Sequence, residues 1–275
     1  SLAEQIDRIL HGEELQIMEH CCEGEFAVLA TSIDKMVQRM LEQQSILQKE
    51  KVFLADSMAD ISHQMKTPLT SISLLLNLLQ EEHLSEKKRL QYVQDLMKLT
   101  GRIDWMVYAL LRLAKLDAGT VQLQQIPYQI EDLIKAAVTP LEIALDIRDI
   151  TLEVQMQPDL QHRGDISWMT EAVSNVLKNC MEHTPSGGHI RIVTKDNPLY
   201  LLIKITDSGS GFTKQDLPHI FERFYRGQNA DTDSVGIGLA LAKRIIIAQN
   251  GTIRAYNHKK DGGAVFEIRM YKGAV

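Results

Sequence analysis

From Met58 onward, apolar residues at Met58, Ile61, Met65, Leu69, Ile72, Leu76 and Leu79 recur at steps of three or four. That spacing commits the segment to an amphipathic helix with a narrow, coiled-coil-like seam. After a polar break at "EEHLSEKK", Val93, Met97, Ile103, Val107, Leu110 and Ala114 repeat the pattern until "LDAGT" stops it. Two such helices joined by a short loop make an antiparallel hairpin with one apolar face. A lone hairpin buries too little, so two copies forming a four-helix bundle, a homodimer, are expected. Pro68 interrupts the first helix: it has no N–H for the carbonyl of Gln64, and its ring crowds that carbonyl. The helix should therefore bend or loosen in the turn after His63, which lies off the seam.

Upstream, Leu29, Ile33, Met36, Met40 and Ile46 suggest a helical linker over residues 1–52, with "HGEE" and "CCEGE" as interruptions. The hairpin is expected over 53–118. After Gly119 the texture changes, and 119–275 reads as a separate domain. "TVQLQQIPYQ" reads as a strand, "IEDLIKAAVTPLEIALDIR" as a helix, "TLEVQM" as a strand and "DISWMTEAVSNVLKNCMEH" as a helix capped by Asp165. "GHIRIVTKD" and "LYLLIKITD" form a hairpin across Asn197 and Pro198. A Gly-rich stretch over 207–235 precedes the helix "GIGLALAKRIIIAQN" and the strands "TIRAYNH" and "GAVFEIRMY". The fold class is α+β: a helical hairpin, then an α/β two-layer sandwich whose sheet is mixed or antiparallel.

A formal charge of −6 argues against binding nucleic acid through phosphate neutralisation. The three cysteines, Cys21, Cys22 and Cys180, form no C-x-x-C, so neither a zinc site nor a disulfide framework is expected and a reducing compartment fits. No run of 18 apolar residues is present. The chain opens at Ser1 in amphipathic sequence, as an excised part of a longer protein would, which leaves room for a membrane anchor upstream.

Four local signals carry chemistry. "SNVLKNCMEHTP" puts Asn175, Asn179 and His183 or Glu182 on one helical face, where amide oxygens suit a hard cation such as Mg²⁺ shared with phosphates. "TDSGSGF" sets Asp207, Gly209 and Gly211 after a strand, so that the backbone can approach a flat ligand and a carboxylate can accept from an exocyclic amine. "FERFYRG" offers Phe221 and Phe224 as anchors and Arg226 as a phosphate ligand. "SVGIGLALAKR" places Gly236, Gly238 and Leu239 at a helix start, which attracts phosphate. Singly, each has a plainer reading as a polar face, a turn, a core aromatic or a lone G-x-G.

In this order the four resemble the N, G1, F and G2 boxes of the histidine-kinase ATP-binding domain, a Bergerat-type fold shared with gyrase, Hsp90 and MutL ATPases. "MADISHQMKTPLTS" resembles the H box of sensor histidine kinases, and residues 23–42 faintly resemble a HAMP-type linker. The resemblance implies that His63 takes the γ-phosphoryl group of Mg-ATP and passes it to an aspartate of a response regulator. It implies Asn179 and Asn175 as Mg²⁺ ligands, Asp207 as the reader of adenine, and Arg226 near the γ-phosphate. Gly209, Gly211, Gly236 and Gly238 would shape the pocket and lid. Thr67 would position the water that dephosphorylates the regulator. It also implies a cytoplasmic location, as part of a membrane-anchored sensor.

Three positions depart from the family pattern. Gln64 follows the histidine where an acid is common, and an amide cannot act as a general base. Either His63 needs only orientation, or a carboxylate such as Asp60 contributes. Glu182 stands where lysine is frequent, leaving His183 as the phosphate-contact candidate, and Ser234 stands where the last motif has its first glycine. The alternatives are a catalytically weak, nucleotide-binding dimeric scaffold and a Bergerat-fold ATPase outside signalling.

Overall fold

The computed structural model describes residues 25–81, 84–227, 235–258 and 262–273, and it divides into two compact units, Ser1–Ser62 and His63–Val275. Helix α1 (Glu25–Leu79) is a single 55-residue element, so no helix end marks the expected boundary between residues 52 and 53. "HGEE" and residues 21–24 of "CCEGE" lie outside the described residues. In the first unit Met36, Met40 and Ile46 are all exposed.

The helix does not end at Pro68. Around it, hydroxyls bond back one turn: Thr70 to the carbonyl of Lys66 at 2.9 Å, Ser71 to Thr67 at 3.2 Å and Ser73 to Leu69 at 3.0 Å. Hydroxyls that share i−4 carbonyls with the backbone ladder weaken and bend helices. The composition of this turn therefore adds to the softening that proline begins.

Helix α2 (Glu86–Asp117) starts at Ser85, whose hydroxyl accepts from Lys88 N–H. Its apolar residues form two stripes. Val93, Met97 and Val107 belong to the anticipated stripe and stay exposed. Met106, Ala109, Leu113 and Leu116, at steps of three and four, are buried in the core of the α/β domain. This second stripe docks α2 against the last helix of that domain.

The domain begins with strand β1 (Ile126–Gln129), shorter than the ten-residue strand expected. It pairs antiparallel with β3 (Gln161–Gly164), a strand that "QHRG" does not announce. The single helix expected over 130–148 is broken at Pro140 into α3 (Ile130–Val138), a 3₁₀ turn (Thr139–Leu141) and α4 (Glu142–Ile147). Proline lacks the N–H that would continue the ladder. Helix α5 (Ile166–His183) is capped as expected, the Asp165 carboxylate accepting from Ser167 and Trp168 N–H at 3.1 and 3.3 Å.

The main sheet has the order β2-β4-β5-β7-β6, with β2 (Thr151–Gln155) parallel to β4 (His189–Asp196). Strands β5 (Tyr200–Asp207), β6 (Gly251–Asn257) and β7 (Ala264–Tyr271) pair antiparallel. Helix α6 (Gly238–Ala248) packs against α5, and α5 in turn against α3, in the helical layer. Alternation along β5 puts Leu201, Ile203, Ile205 and Asp207 on the buried face, opposite Met270, Ile268 and Phe266 of β7. A carboxylate thus ends a row of fully buried aliphatics.

Candidate nucleotide site

The Asp207 carboxylate, 3% exposed, is anchored on one oxygen only. Its Oδ1 accepts from the N–H groups of Gly209 and Ala264 at 2.9 and 3.0 Å, while Oδ2 is buried without a hydrogen-bond partner among the described residues. A buried acceptor left unsatisfied costs about 1–3 kcal/mol, so the position favours a ligand carrying a donor. Beneath it Cys180 is fully buried, and its thiol is pushed well up, first by burial and then by the Asp207 charge. A thiol buried in this way is unreactive.

Asp207 lines a cavity of about 450 Å³, within the range of small-molecule sites. Asn175, Asn179, Glu182 and His183 of α5 line it, as do Gly211, Arg226, Gly236, Gly238 and Leu239. Along α5, pairs such as Val176–Leu177 and Cys180–Met181 face the core, which leaves Asn175 and Asn179 on the flank toward the opening. The start of α6 comes close to that flank, since a Cβ on Gly238 would stand 3.2 Å from Asn175 Oδ1. Amide oxygens and helix-start N–H groups therefore converge on one space. Glu182 reaches Lys178 at 3.9 Å, a pair one turn apart.

Three anticipated residues lie off the cavity wall. Gly209 acts below it, where any Cβ would collide with the carbonyl of His183. The Phe221 ring meets Phe266 edge-on at 6.5 Å, with the Lys243 ammonium over its face. Phe224 holds φ = 61°, and its N–H donates to the carbonyl of Gly236 at 2.9 Å. Gly236 sits at φ = 74°, where a side chain would press 2.5 Å from the Tyr225 carbonyl, so this close approach requires glycine. The two aromatics thus anchor the wall from behind. Ser234 lies outside the described residues.

Other lining residues were not anticipated. Phe212, Thr213 and Asp216 follow the Asp-Gly turn, and the Tyr225 hydroxyl donates to Asp216 Oδ1 at 2.6 Å, which raises the phenol above its ordinary range. Lys98, Leu99, Gly101, Arg102 and Trp105 come from α2, with the Lys178 ammonium 5.3 Å from the Trp105 ring centre. Nothing in their spacing ties them to a site 70 residues downstream; only the second apolar stripe of α2 hints that this helix meets the α/β domain.

On α1, His63, Thr67 and Asp60 are exposed and Gln64 is half-buried. The Thr67 hydroxyl donates to the His63 carbonyl at 3.4 Å. His63, Gln64 and Thr67 do not line the cavity.

Two family models match. Residues 54–119 match the His Kinase A (phospho-acceptor) domain, and residues 164–273 match the histidine kinase-, DNA gyrase B- and HSP90-like ATPase. The chain belongs to the sensor histidine kinases of two-component systems. It is similar to the heme sensor protein HssS of Staphylococcus saprophyticus, with 28% identity over 266 residues, 97% of this chain and 55% of that protein. It is also similar to the sensor protein SphS of Synechococcus elongatus, with 32% identity over 225 residues, 77% of this chain and 53% of that protein. Its fold resembles the histidine kinase ThkA crystallised with the response regulator TrrA, at a TM-score of 0.64 and 18% identity, over 85% of this chain and 66% of that one. The chain spans about half the length of the curated relatives it matches.

Proposed function

We propose that this chain is the kinase core of a two-component sensor, which phosphorylates His63 from Mg-ATP and passes the phosphoryl group to an aspartate of a response regulator. The observation that carries it is Asp207, a buried carboxylate with one oxygen satisfied by backbone and the other without a hydrogen-bond partner among the described residues, in a cavity walled by Asn175, Asn179 and the start of α6. That geometry suits the amino group of adenine at one end and phosphates at the other.

Asn179 and Asn175 would hold Mg²⁺ jointly with the phosphates, and the ion would neutralise charge developing on the transferring group. Among the described residues no cluster of three or more His, Cys, Asp or Glu could hold a metal without such help. Arg226 and His183 would contact the terminal phosphates. A ring nitrogen of neutral His63 attacks the γ-phosphorus; the N–P bond forms as the bond to the β,γ-bridging oxygen breaks, and ADP leaves with that electron pair. Gln64 can orient the imidazole by hydrogen bonding, and Asp60 is the carboxylate available to take its proton. In the second step the N–P bond breaks as a carboxylate oxygen of the regulator bonds to phosphorus. Thr67 would orient water for the reverse, phosphatase reaction.

Within one chain His63 is not on the cavity wall, so transfer in cis needs the α/β domain to move. The soft turn at Pro68 and the exposed apolar residues of the hairpin fit a flexible dimeric bundle. The organisation proposed is a linker over 1–52, a dimerisation and phosphoacceptor hairpin over 53–118 and an ATP-binding domain over 119–275. The whole protein would be a cytoplasmic kinase anchored to the membrane by a segment outside this sequence; no helix among the described residues is long and apolar enough to cross one.

The test is incubation with γ-phosphate-labelled ATP and Mg²⁺. Label that is acid-labile and alkali-stable, and absent from His63→Gln and Asn179→Ala, is expected. Label surviving in His63→Gln would refute the assignment, and nucleotide binding without labelling would favour the scaffold.

A further inference from the structure

A carboxylate at the end of a helix is electrostatically misplaced, because the unpaired carbonyls there carry partial negative charge. Asp117 is the last residue of α2. Two arginines of the α/β domain offset it: Arg244 Nε donates to Asp117 Oδ1 at 2.6 Å, and Arg223 donates to Oδ2. The two lie on opposite sides, in sequence, of Tyr225, Arg226, Gly236, Gly238 and Leu239, all of which line the nucleotide cavity. Arg223 also directly precedes Phe224, a residue held at positive φ, a conformation that persists only where its surroundings enforce it.

We infer that Asp117 is a positioning residue for nucleotide: through Arg223 and Arg244 it ties the end of the hairpin to both flanks of this cavity wall, so that the state of the hairpin sets nucleotide affinity. The inference rests on the nucleotide site proposed above and goes beyond it, by assigning that coupling to one carboxylate outside the cavity. A partly exposed ion pair is ordinarily worth little, but one carboxylate shared by two guanidinium groups from different segments is a network with defined geometry. The same reasoning supplies a comparator. Arg112 also ties α2 to the domain, its guanidinium 3.9 Å from the Trp168 ring centre and 3.5 Å from Glu171, yet neither partner lines the cavity. Loss of Arg112 should cost stability and leave the wall in place.

The experiment measures ADP affinity by titration calorimetry, and melting temperature, for the full chain and for Asp117→Asn, Asp117→Glu and Arg112→Gln. Asp117→Asn is expected to weaken ADP binding about fivefold, the lower end of typical coupling between sites. Asp117→Glu should recover most of that loss, and Arg112→Gln should lower the melting temperature with ADP affinity near that of the unmodified chain. Equal affinity in Asp117→Asn and the unmodified chain, or equal losses in Asp117→Asn and Arg112→Gln, would overturn the inference while leaving the kinase assignment intact. Absence of ADP binding in the unmodified chain would overturn both.

Discussion

The hairpin and the α/β domain solve the problem of burial differently. In the domain, Phe266, Ile203, Ile205, Ile192 and Ile268 are fully buried, and both helices and sheet contribute to one closed core. In the hairpin, Leu69 is 50% exposed, Leu76 48% and Met97 70%, although their spacing is as regular as any in the chain. The domain completes its core within one chain; the hairpin carries half of one, and a second copy would supply the rest. A unit that finishes its own core can bind a nucleotide independently of assembly. One that shares its core can change shape at the cost of a few contacts, which suits the phosphoacceptor role proposed for His63.

If the contrast is real, the two regions should fail separately. Phe266→Ala removes a fully buried ring and should destabilise the α/β domain by about 3–5 kcal/mol, read by denaturant unfolding. Light scattering should still find a dimer; monomers would show that the hairpin depends on the domain. The converse change, Leu76→Glu with Met97→Glu, puts charge on the uncovered face and forfeits about 1.5–3 kcal/mol of burial per side chain in the assembled form. Dimers should dissociate at concentrations where the unmodified chain is dimeric, and the melting transition of the domain should not move.

Pro68→Ala restores one ladder N–H and should stiffen α1 by about 1 kcal/mol. Its readout is the ratio of autophosphorylation to regulator dephosphorylation, and an unchanged ratio would remove the hinge role. The smallest effect concerns pH. His162, buried against the edge of Tyr128, is held below the ordinary imidazole value of 6.5 by burial and then by Lys272. A depressed histidine binds fewer protons folded than unfolded. Its contribution is therefore intact above that ordinary value and is lost as pH falls through it toward the folded value. His162→Gln should flatten the decline in domain stability below pH 6.5 without altering dimerisation.

Much of the domain was legible because its patterns are local. The apolar run along 200–207 announced β5, and the Asp165 cap marked the start of α5, whereas the inward direction of Asp207 came only with the structure. The site residues on α5 and at the start of α6 could be named because one helical turn and one glycine pair each define a surface without reference to anything distant. Strand β3 could not be read in "QHRG": two polar side chains, an arginine and a glycine become a strand only through pairing with β1. The second stripe of α2 was present in the sequence but masked by the first. Two apolar faces on one helix cannot be assigned to partners until the partners are placed.

Local spacing and side-chain chemistry thus determined by themselves that the chain holds a helical hairpin with a histidine before a proline, an amide-bearing helix, a carboxylate at a strand end and glycines at a helix start. Those properties depend on steric and hydrogen-bonding rules that act within a few residues. Tertiary structure alone decided that one oxygen of Asp207 is left without a hydrogen-bond partner among the described residues, that residues of α2 join the cavity wall and that Asp117 meets two arginines 106 and 127 residues away in sequence. Each of these depends on which surfaces the shared core brings together over separations of tens to more than a hundred residues, and no local pattern encodes that choice.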